Sequence, residues 1–479
     1  MTPDQRPGPS RGRRMAAAAP AKPSRVSIVL AVLLPLLTLG AIAFVDGTPA
    51  PGRAGVPPQD TELTSLQVVC PASIETGDLR VSSARASGEV SVRLGDDTSD
   101  LDLTSDATSV LTGRDGAVVV DGRGDLAPGL VATRLDDESA AASVCGPPQP
   151  EYWFTGAGSA SIHSSVLELV NSDSGPAVAD IEIRSQRGTL SIDSLRGVTV
   201  AGGTSTAIDL ASTAPNRHEL SVHVTVNRGR LGASLLDTID DDGRSTDWLA
   251  PQAAPATNNV LLGLTDGFGS RQLVVSNSTD DQARVQLKVI GSDSTFAPIG
   301  FKEISVPPQA TVVTDVTEIV RTAMAKEESG LLVTSTVPTS VGLRSLTGSP
   351  RDLSHAVTAQ AVRESATLLP AGKATLVMTA PQESGTVSVT SYDADGAELS
   401  TERLAVKRLT SASLELPQKT SLVVVEAEGV PLPGAVRVVD QDGTVVLPLN
   451  ELVLSALVPS VTAGNPSVVN GVTSSQSSS

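Results

Sequence analysis

With 479 residues, a net charge of −18, 40% apolar side chains and only 2% aromatic ones, the chain has length for about three domains of roughly 150 residues, with cores of Val, Leu, Ile and Ala. Such an acidic balance disfavours nucleic acid and anionic headgroups as partners, because counterion release needs clustered Lys and Arg; its ordinary role is solubility. The two cysteines lack the Cys-x-x-Cys spacing of a redox pair.

Residues 1–25 form a basic tail, with Arg6, Arg11, Arg13, Arg14, Lys22 and Arg25 against a single acid, Asp4. Residues 26–45 are apolar and uncharged, and at about 1.5 Å per helical residue such a run covers the roughly 30 Å hydrocarbon core of a bilayer. The positive-inside bias holds the tail in the cytoplasm and sends the rest outward. We read 26–45 as a single transmembrane helix or signal anchor in the cell membrane. The alternative is cleavage near Ala41-Ile42-Ala43, which yields a secreted protein. Pro49, Pro51, Pro57 and Pro58, interspersed with Gly, make residues 46–61 an extended stalk.

Between 62 and 150, short apolar or alternating segments bounded by Gly, Asp or Ser read as strands. In Glu89-Val90-Ser91-Val92-Arg93-Leu94 the period of two places Val90, Val92 and Leu94 on one face. Cys70 and Cys145 both lie beyond the membrane run, in an oxidising compartment, so one structural disulfide is expected, worth about 4–5 kcal/mol in the chain-entropy account.

Aromatic poverty breaks at Tyr152-Trp153-Phe154. Tyr152, Trp153 and, further on, Trp248 are the candidates for a ligand surface, since stacked aromatics take sugars and quaternary amines. The reading we favour for Tyr152-Trp153-Phe154 is a core plug at a domain entrance, because three aromatics in so poor a chain are valuable packing volume.

Sliding the chain on itself aligns Asn171 with Asn277, Ala177 with Ala283, Ile181 with Leu287, Ile183 with Val289, Val200 with Val306 and Asp209 with Asp315 at one constant shift. Two units follow, 151–250 and 251–355. A divergent third, 356–460, has Val387 and Val389 in its second alternation and Val406 and Glu415 in the places of Val306 and Asp315, without the landmark Asn. Helical periodicity outside the leader is best at 316–326, a turn or short helix. Apolar residues at 445–458, interrupted by Pro448 and Glu451, read as terminal strands. The tail 461–479, ending in a Ser-rich run, has nothing to bury and is expected to be disordered.

Cys145-Gly-Pro-Pro, Tyr152-Trp153-Phe154-Thr155-Gly156, Leu167-Glu168-Leu169-Val170-Asn171 and Asp247-Trp248-Leu249-Ala250-Pro251 together resemble an uncharacterised family, a domain of unknown function found in secreted or membrane-anchored actinobacterial proteins. The resemblance spans roughly residues 60 to 440 and implies an envelope location. It supplies no catalytic residues.

Candidate chemistry is sparse. His218-Glu219-Leu220-Ser221-Val222-His223 superficially matches a zinc-protease pattern, but its histidines are five apart in a strand-like run rather than four apart on a helix. Asp237, Asp240, Asp241 and Asp242 offer carboxylates to calcium without the alternating loop that a calcium hand needs. His163 beside Ser164 and Ser165 is not a triad by adjacency, and His355 stands apart. Asn277-Ser278-Thr279 is a formal glycosylation acceptor that we read as a turn. No cofactor or metal is assigned.

The expected fold is all-β: tandem immunoglobulin-like antiparallel β-sandwich modules after a single N-terminal transmembrane helix. The expected function is a non-enzymatic binding or scaffolding role in the cell envelope, with an envelope protein or cell-wall glycan as partner. A glycan-binding accessory factor in cell-wall polymer assembly, which needs Trp153 or Trp248 exposed, and a secreted hydrolase with a non-contiguous site are the alternatives. Oligomeric state is not legible.

Overall fold

Short alternating segments punctuated by Gly, Asn and Asp form antiparallel strands throughout the computed structural model, which describes residues 59–458 apart from 75–76, 96, 114, 137–139, 242 and 327–329. The basic tail, the transmembrane helix expected at 26–45, nearly all of the expected stalk and the tail at 461–479 lie outside the described residues. Among the described residues no helix is long and apolar enough to cross a membrane. A strand, Gln59–Glu62, occupies the end of the expected stalk.

One strand order recurs four times in residues 60–456, which form one compact unit. In the first module the strands are Ser65–Cys70, Leu79–Ser83, Gly88–Leu94, Asp97–Leu103, Ser109–Leu111, Val118–Arg123, Leu130–Leu135 and Ala142–Val144. One sheet runs first, sixth, third, fourth; the other runs fifth, second, seventh, eighth. The second module repeats this order from Glu151–Ala157 to Arg244–Leu249, the third from Ala256–Leu262 to Asp352–Val357, and the fourth from Glu364–Leu368 to Thr444–Pro448. In the third, the sixth and seventh strands are one continuous strand, Gly330–Thr347, that crosses from one sheet to the other and so joins them.

Each module closes over its own aliphatic core. Leu167, Leu169, Ile183, Val222 and Leu235 meet in the second, and Leu273, Val275, Leu287, Leu331 and Leu343 in the third. The region 62–150 is thus of the same build as the repeats, although no landmark Asn ends its second strand. Relative to the constant-type immunoglobulin arrangement, in which the first, second, fourth and fifth strands share one sheet and the third, sixth and seventh the other, the first and seventh strands have exchanged sheets and the fourth has joined the third and sixth. That exchange pairs the seventh strand with the second and leaves the eighth at the edge of its sheet.

The Asn landmarks have a physical cause. Asn171 Nδ2 donates to the carbonyls of Gly175 and Val200, and Asn277 Nδ2 donates to those of Asp281, Val306 and Pro307. Each buried amide ties the end of the second strand to the fourth. Asp209 likewise caps the helix Leu210–Thr213 by accepting from the Ala211 amide, and Asp315 accepts from the Thr317 amide just ahead of the helix Thr317–Met324. In the fourth module Ala380 makes the backbone bond that Asn277 makes in the third, so its side chain supplies no such tie.

The modules close on one another in a circuit. Arg93 reaches the Ser172 carbonyl from the first module to the second, Ile290 and Val377 pack between third and fourth, and Arg85 pairs with Glu364 at 2.6 Å between fourth and first. At the centre the four eighth strands each touch the eighth strands of both neighbours.

Candidate functional site

Two places in this ring concentrate polar chemistry: the interface between the second and third modules, and the hub where the eighth strands meet. Both draw chiefly on the second, seventh and eighth strands of the modules.

In the second module these strands place Ser165, Asp237 and Asp247 in one cross-strand row. In the third they place Gln272, Arg344 and His355 in another. Asp237 is fully buried and accepts from Ser165 Oγ at 2.5 Å and His163 Nε2 at 2.9 Å. His355 Nε2 of the third module stands 3.2 Å from its other oxygen. Burial alone pushes the Asp237 carboxyl up, but the charge and hydrogen bond of His163, together with His355, outweigh it and hold the carboxyl well below the usual range. His163 Nδ1 faces the His218 carbonyl at 2.8 Å, with Arg344 Nη1 of the third module 3.3 Å away. Arg344 forks onto Glu219, Nη2 to Oε1 at 2.8 Å and Nη1 to Oε2 at 3.0 Å, and also donates to Gln272 and the Gly156 carbonyl. Both members of that pair are buried.

Close approach of the backbones makes the interface possible. A Cβ on Gly342 of the third module would lie 2.5 Å from the Thr155 carbonyl oxygen of the second. Around this contact Thr155 donates to Ser340 at 2.8 Å, and Thr311 donates to Ser221 at 3.1 Å.

At the hub, directed bonds join the eighth strands. Leu353 N donates to Ser245 Oγ at 2.7 Å, and Thr444 N donates to Asp352 Oδ2 at 2.7 Å. Asp247, fully buried, accepts from the amides of Trp248 and Ala142. Burial raises the Asp247 carboxyl well above its ordinary value, and the neighbouring Asp352 adds to the rise. Burial likewise pushes Asp352 up to about 7, against the lowering effect of the Thr444 amide. Beside these strands lies a cavity of about 240 Å³, walled by the first, second and fourth modules.

The expected aromatic surface is not on the surface. Tyr152, Trp153 and Trp248 are 4%, 7% and 4% exposed. Tyr152 Oη donates to the Leu231 carbonyl inside the core, because a buried hydroxyl needs a partner. Trp153 stacks on His223 at 3.6 Å between ring centroids, with the Arg184 guanidinium 5.4 Å from its ring. Trp248 and Tyr152 contribute to the hub cavity wall. An exposed Trp platform for glycan is therefore ruled out by packing.

The other candidates separate. Cys70 and Cys145 form the disulfide, joining the end of the first strand to the chain just after the eighth. His218 is exposed, whereas His223 is half-buried beneath Trp153 with Glu151 at 3.2 Å. Asp237 leaves the acidic cluster altogether: it points into the interface, while Asp240 and Asp241 are exposed in the turn. Asn277 is buried with its amide engaged, so it is a turn former and not a glycan acceptor. His163, Ser165 and Asp237 do converge, but the serine donates to the carboxylate and not to the imidazole.

Sequence reasoning grouped Asp237 with its neighbours, met Glu219 only inside a discarded zinc pattern, and missed Gln272 and Arg344. One signal was present: Asp237 shares strand parity with Leu231, Leu235 and Ile239, the buried side of Leu231–Asp240.

No curated protein matches the chain. The family of unknown function DUF5719 matches residues 102–417, from within the first module through most of the fourth. Since that match covers well over half of its 479 residues, the chain belongs to the DUF5719 family.

Proposed function

We propose that the chain is a membrane-anchored extracytoplasmic protein of immunoglobulin-like sandwiches with a non-enzymatic binding or scaffolding role in the cell envelope. The observation that carries this reading is how its most reactive groups are used. His163, Ser165 and Asp237 are buried and satisfy one another inside an interface between modules. A nucleophile needs a hydrogen bond to its base and access for substrate; Ser165 instead donates to Asp237. Such groups hold modules together. The basic tail and the apolar run at 26–45 support the placement, and the retained sheet partners of the second, third, fifth and sixth strands support the immunoglobulin-like kinship.

The test is fractionation of cells with N-terminal sequencing of the mature chain, followed by crosslinking on intact cells and identification of captured proteins or glycans. An intact N-terminus in the membrane fraction, with envelope components captured, is the expected result. A mature start near Phe44 in the soluble fraction replaces the anchor with secretion. Recovery in the cytosol overturns the reading.

A further inference from the structure

Three buried carboxyls meet at the hub, and they differ in their partners. Asp237 of the seventh strand and Asp247 of the eighth stand directly opposite one another in the second module. On an antiparallel ladder such a pair projects from one face with Cβ atoms about 4.5–5.5 Å apart. Both are buried, and so is Asp352 of the third module, whose eighth strand packs against that of the second.

Cations answer only one of the three. Asp237 has His163 at 2.9 Å and His355 at 3.2 Å. The neighbouring Arg344 is engaged with Glu219, and Arg351, beside Asp352 in the chain, pairs with Asp241 at 3.3 Å. Among the described residues neither Asp247 nor Asp352 belongs to an ion pair. Asp247 takes the amides of Trp248 and, from the first module, Ala142; Asp352 takes the Thr444 amide of the fourth. The charged groups acting on Asp247 are Asp352 and Asp237, and the one acting on Asp352 from the fourth module is a further acid, Asp440.

Carboxylates that share a buried site do not both ionise without a large penalty. With Asp237 held as the anion by its histidines, the acids that lack a cation keep their protons. Ionising either would leave an unpaired charge away from water, and the strain is relieved by admitting water between the strands. That relief falls on the joints between modules, because Asp247 ties the second module to the first and Asp352 ties the third to the fourth.

We propose that the hub is a proton-dependent joint: Asp247 and Asp352 are neutral acids while the eighth strands are packed together, and their ionisation parts those strands while each module keeps its own sheets. Burial raises both carboxyls, Asp352 to about 7. The stabilisation is therefore complete below the unfolded value of about 4 and lost as pH rises through the folded values. This device goes beyond the binding reading and does not depend on where in the cell the chain resides.

The test is hydrogen exchange on the purified full-length chain in detergent, read by mass spectrometry and corrected for the intrinsic pH dependence of amide exchange. Between about pH 5 and about pH 9, peptides covering Ala142–Val144, Arg244–Leu249, Asp352–Val357 and Thr444–Pro448 are expected to lose protection about tenfold. Core strands such as Val118–Arg123 and Leu220–Arg228 should keep theirs. Infrared difference spectra of the parent chain over the same range should show the carbonyl band of a protonated carboxyl disappearing as pH rises, a measurement that needs no variant. Asp247→Asn combined with Asp352→Asn is neutral at every pH and still accepts the amides, so it should hold the hub closed throughout and lack the band. Unchanged protection of the eighth strands, loss spread evenly over the module cores, no protonated-carboxyl band in the parent, or parental behaviour of the double variant overturns the proposal.

Discussion

Replacing Arg344 with Met tests whether the interface between the second and third modules is held by charge pairing. Arg344 makes two bonds to Glu219 at 2.8 and 3.0 Å, and both side chains are buried. The substitution keeps an unbranched apolar stem but strands the Glu219 carboxylate, together with the Gly156 carbonyl and Gln272. Breaking a buried pair by removing one partner costs about 3–5 kcal/mol, most of it from the uncompensated charge. Replacing both, Arg344→Met with Glu219→Leu, removes that charge and is expected to come within about 1 kcal/mol of the parent, giving a coupling of about 2–4 kcal/mol in the double-mutant cycle. Urea unfolding of the full chain followed by tryptophan fluorescence is the assay. Trp153 and Trp248, the only two tryptophans, both belong to the second module, so the signal reports the module that loses its partner. A shift in midpoint at unchanged slope reads as stability. A cost below about 1 kcal/mol for Arg344→Met, or strictly additive single substitutions, refutes the pairing argument.

Stability should fall as pH rises from about 4 to 7. The folded carboxyls of Asp247 and Asp352 are raised, so the folded chain binds more protons than the unfolded one across that window. Asp352→Asn, still able to accept from Thr444, should flatten the slope in a series of unfolding midpoints against pH. Below about pH 4 the opposite sign applies: the lowered Asp237 carboxyl withdraws its contribution as its unfolded counterpart takes up protons, and Asp237→Asn should weaken that acid limb. Removing the disulfide with Cys70→Ser and Cys145→Ser should cost about 4–5 kcal/mol in the chain-entropy account for a sequence separation of 75, measured by urea unfolding with and without reductant. Asn171→Ala and Asn277→Ala should each cost about 1–3 kcal/mol, because each leaves buried carbonyls unpaired, and similar losses in the two check that the residues are equivalent.

Local features were legible because their causes are local. Alternation such as Val90, Val92 and Leu94 follows directly from the pleat, and the shift relating Asn171 to Asn277 survives because each amide has carbonyls to hold in its own module. The short helix at Thr317–Met324 fell within the expected 316–326. Kinship of 62–150 with the repeats was hidden, since strand order can be shared without shared side chains. The interface was hidden for a different reason: Glu219, Arg344 and His355 lie far apart in the chain and mean nothing until two sheets face one another. Aromatic scarcity made packing volume the stronger reading of Tyr152-Trp153-Phe154 and left display as the weaker one, and packing prevailed there and at Trp248.

The exchange of first and seventh strands explains why the modules form a circuit instead of a string. With the seventh strand beside the second, the hairpin that follows it places an eighth strand at the edge of that sheet, with unpaired backbone groups turned away from its own module. An exposed edge invites association, and each module meets it with the eighth strands of its neighbours. Ser245 and Asp352 accept amides of the next strand, Leu353 and Thr444, while Asp247 accepts Ala142 of the preceding module. A closed circuit differs from a chain of beads in its mechanics, because no interface can open without straining the others. Loosening a single interface, as Arg344→Met is expected to do, should therefore also weaken the interfaces on either side of it.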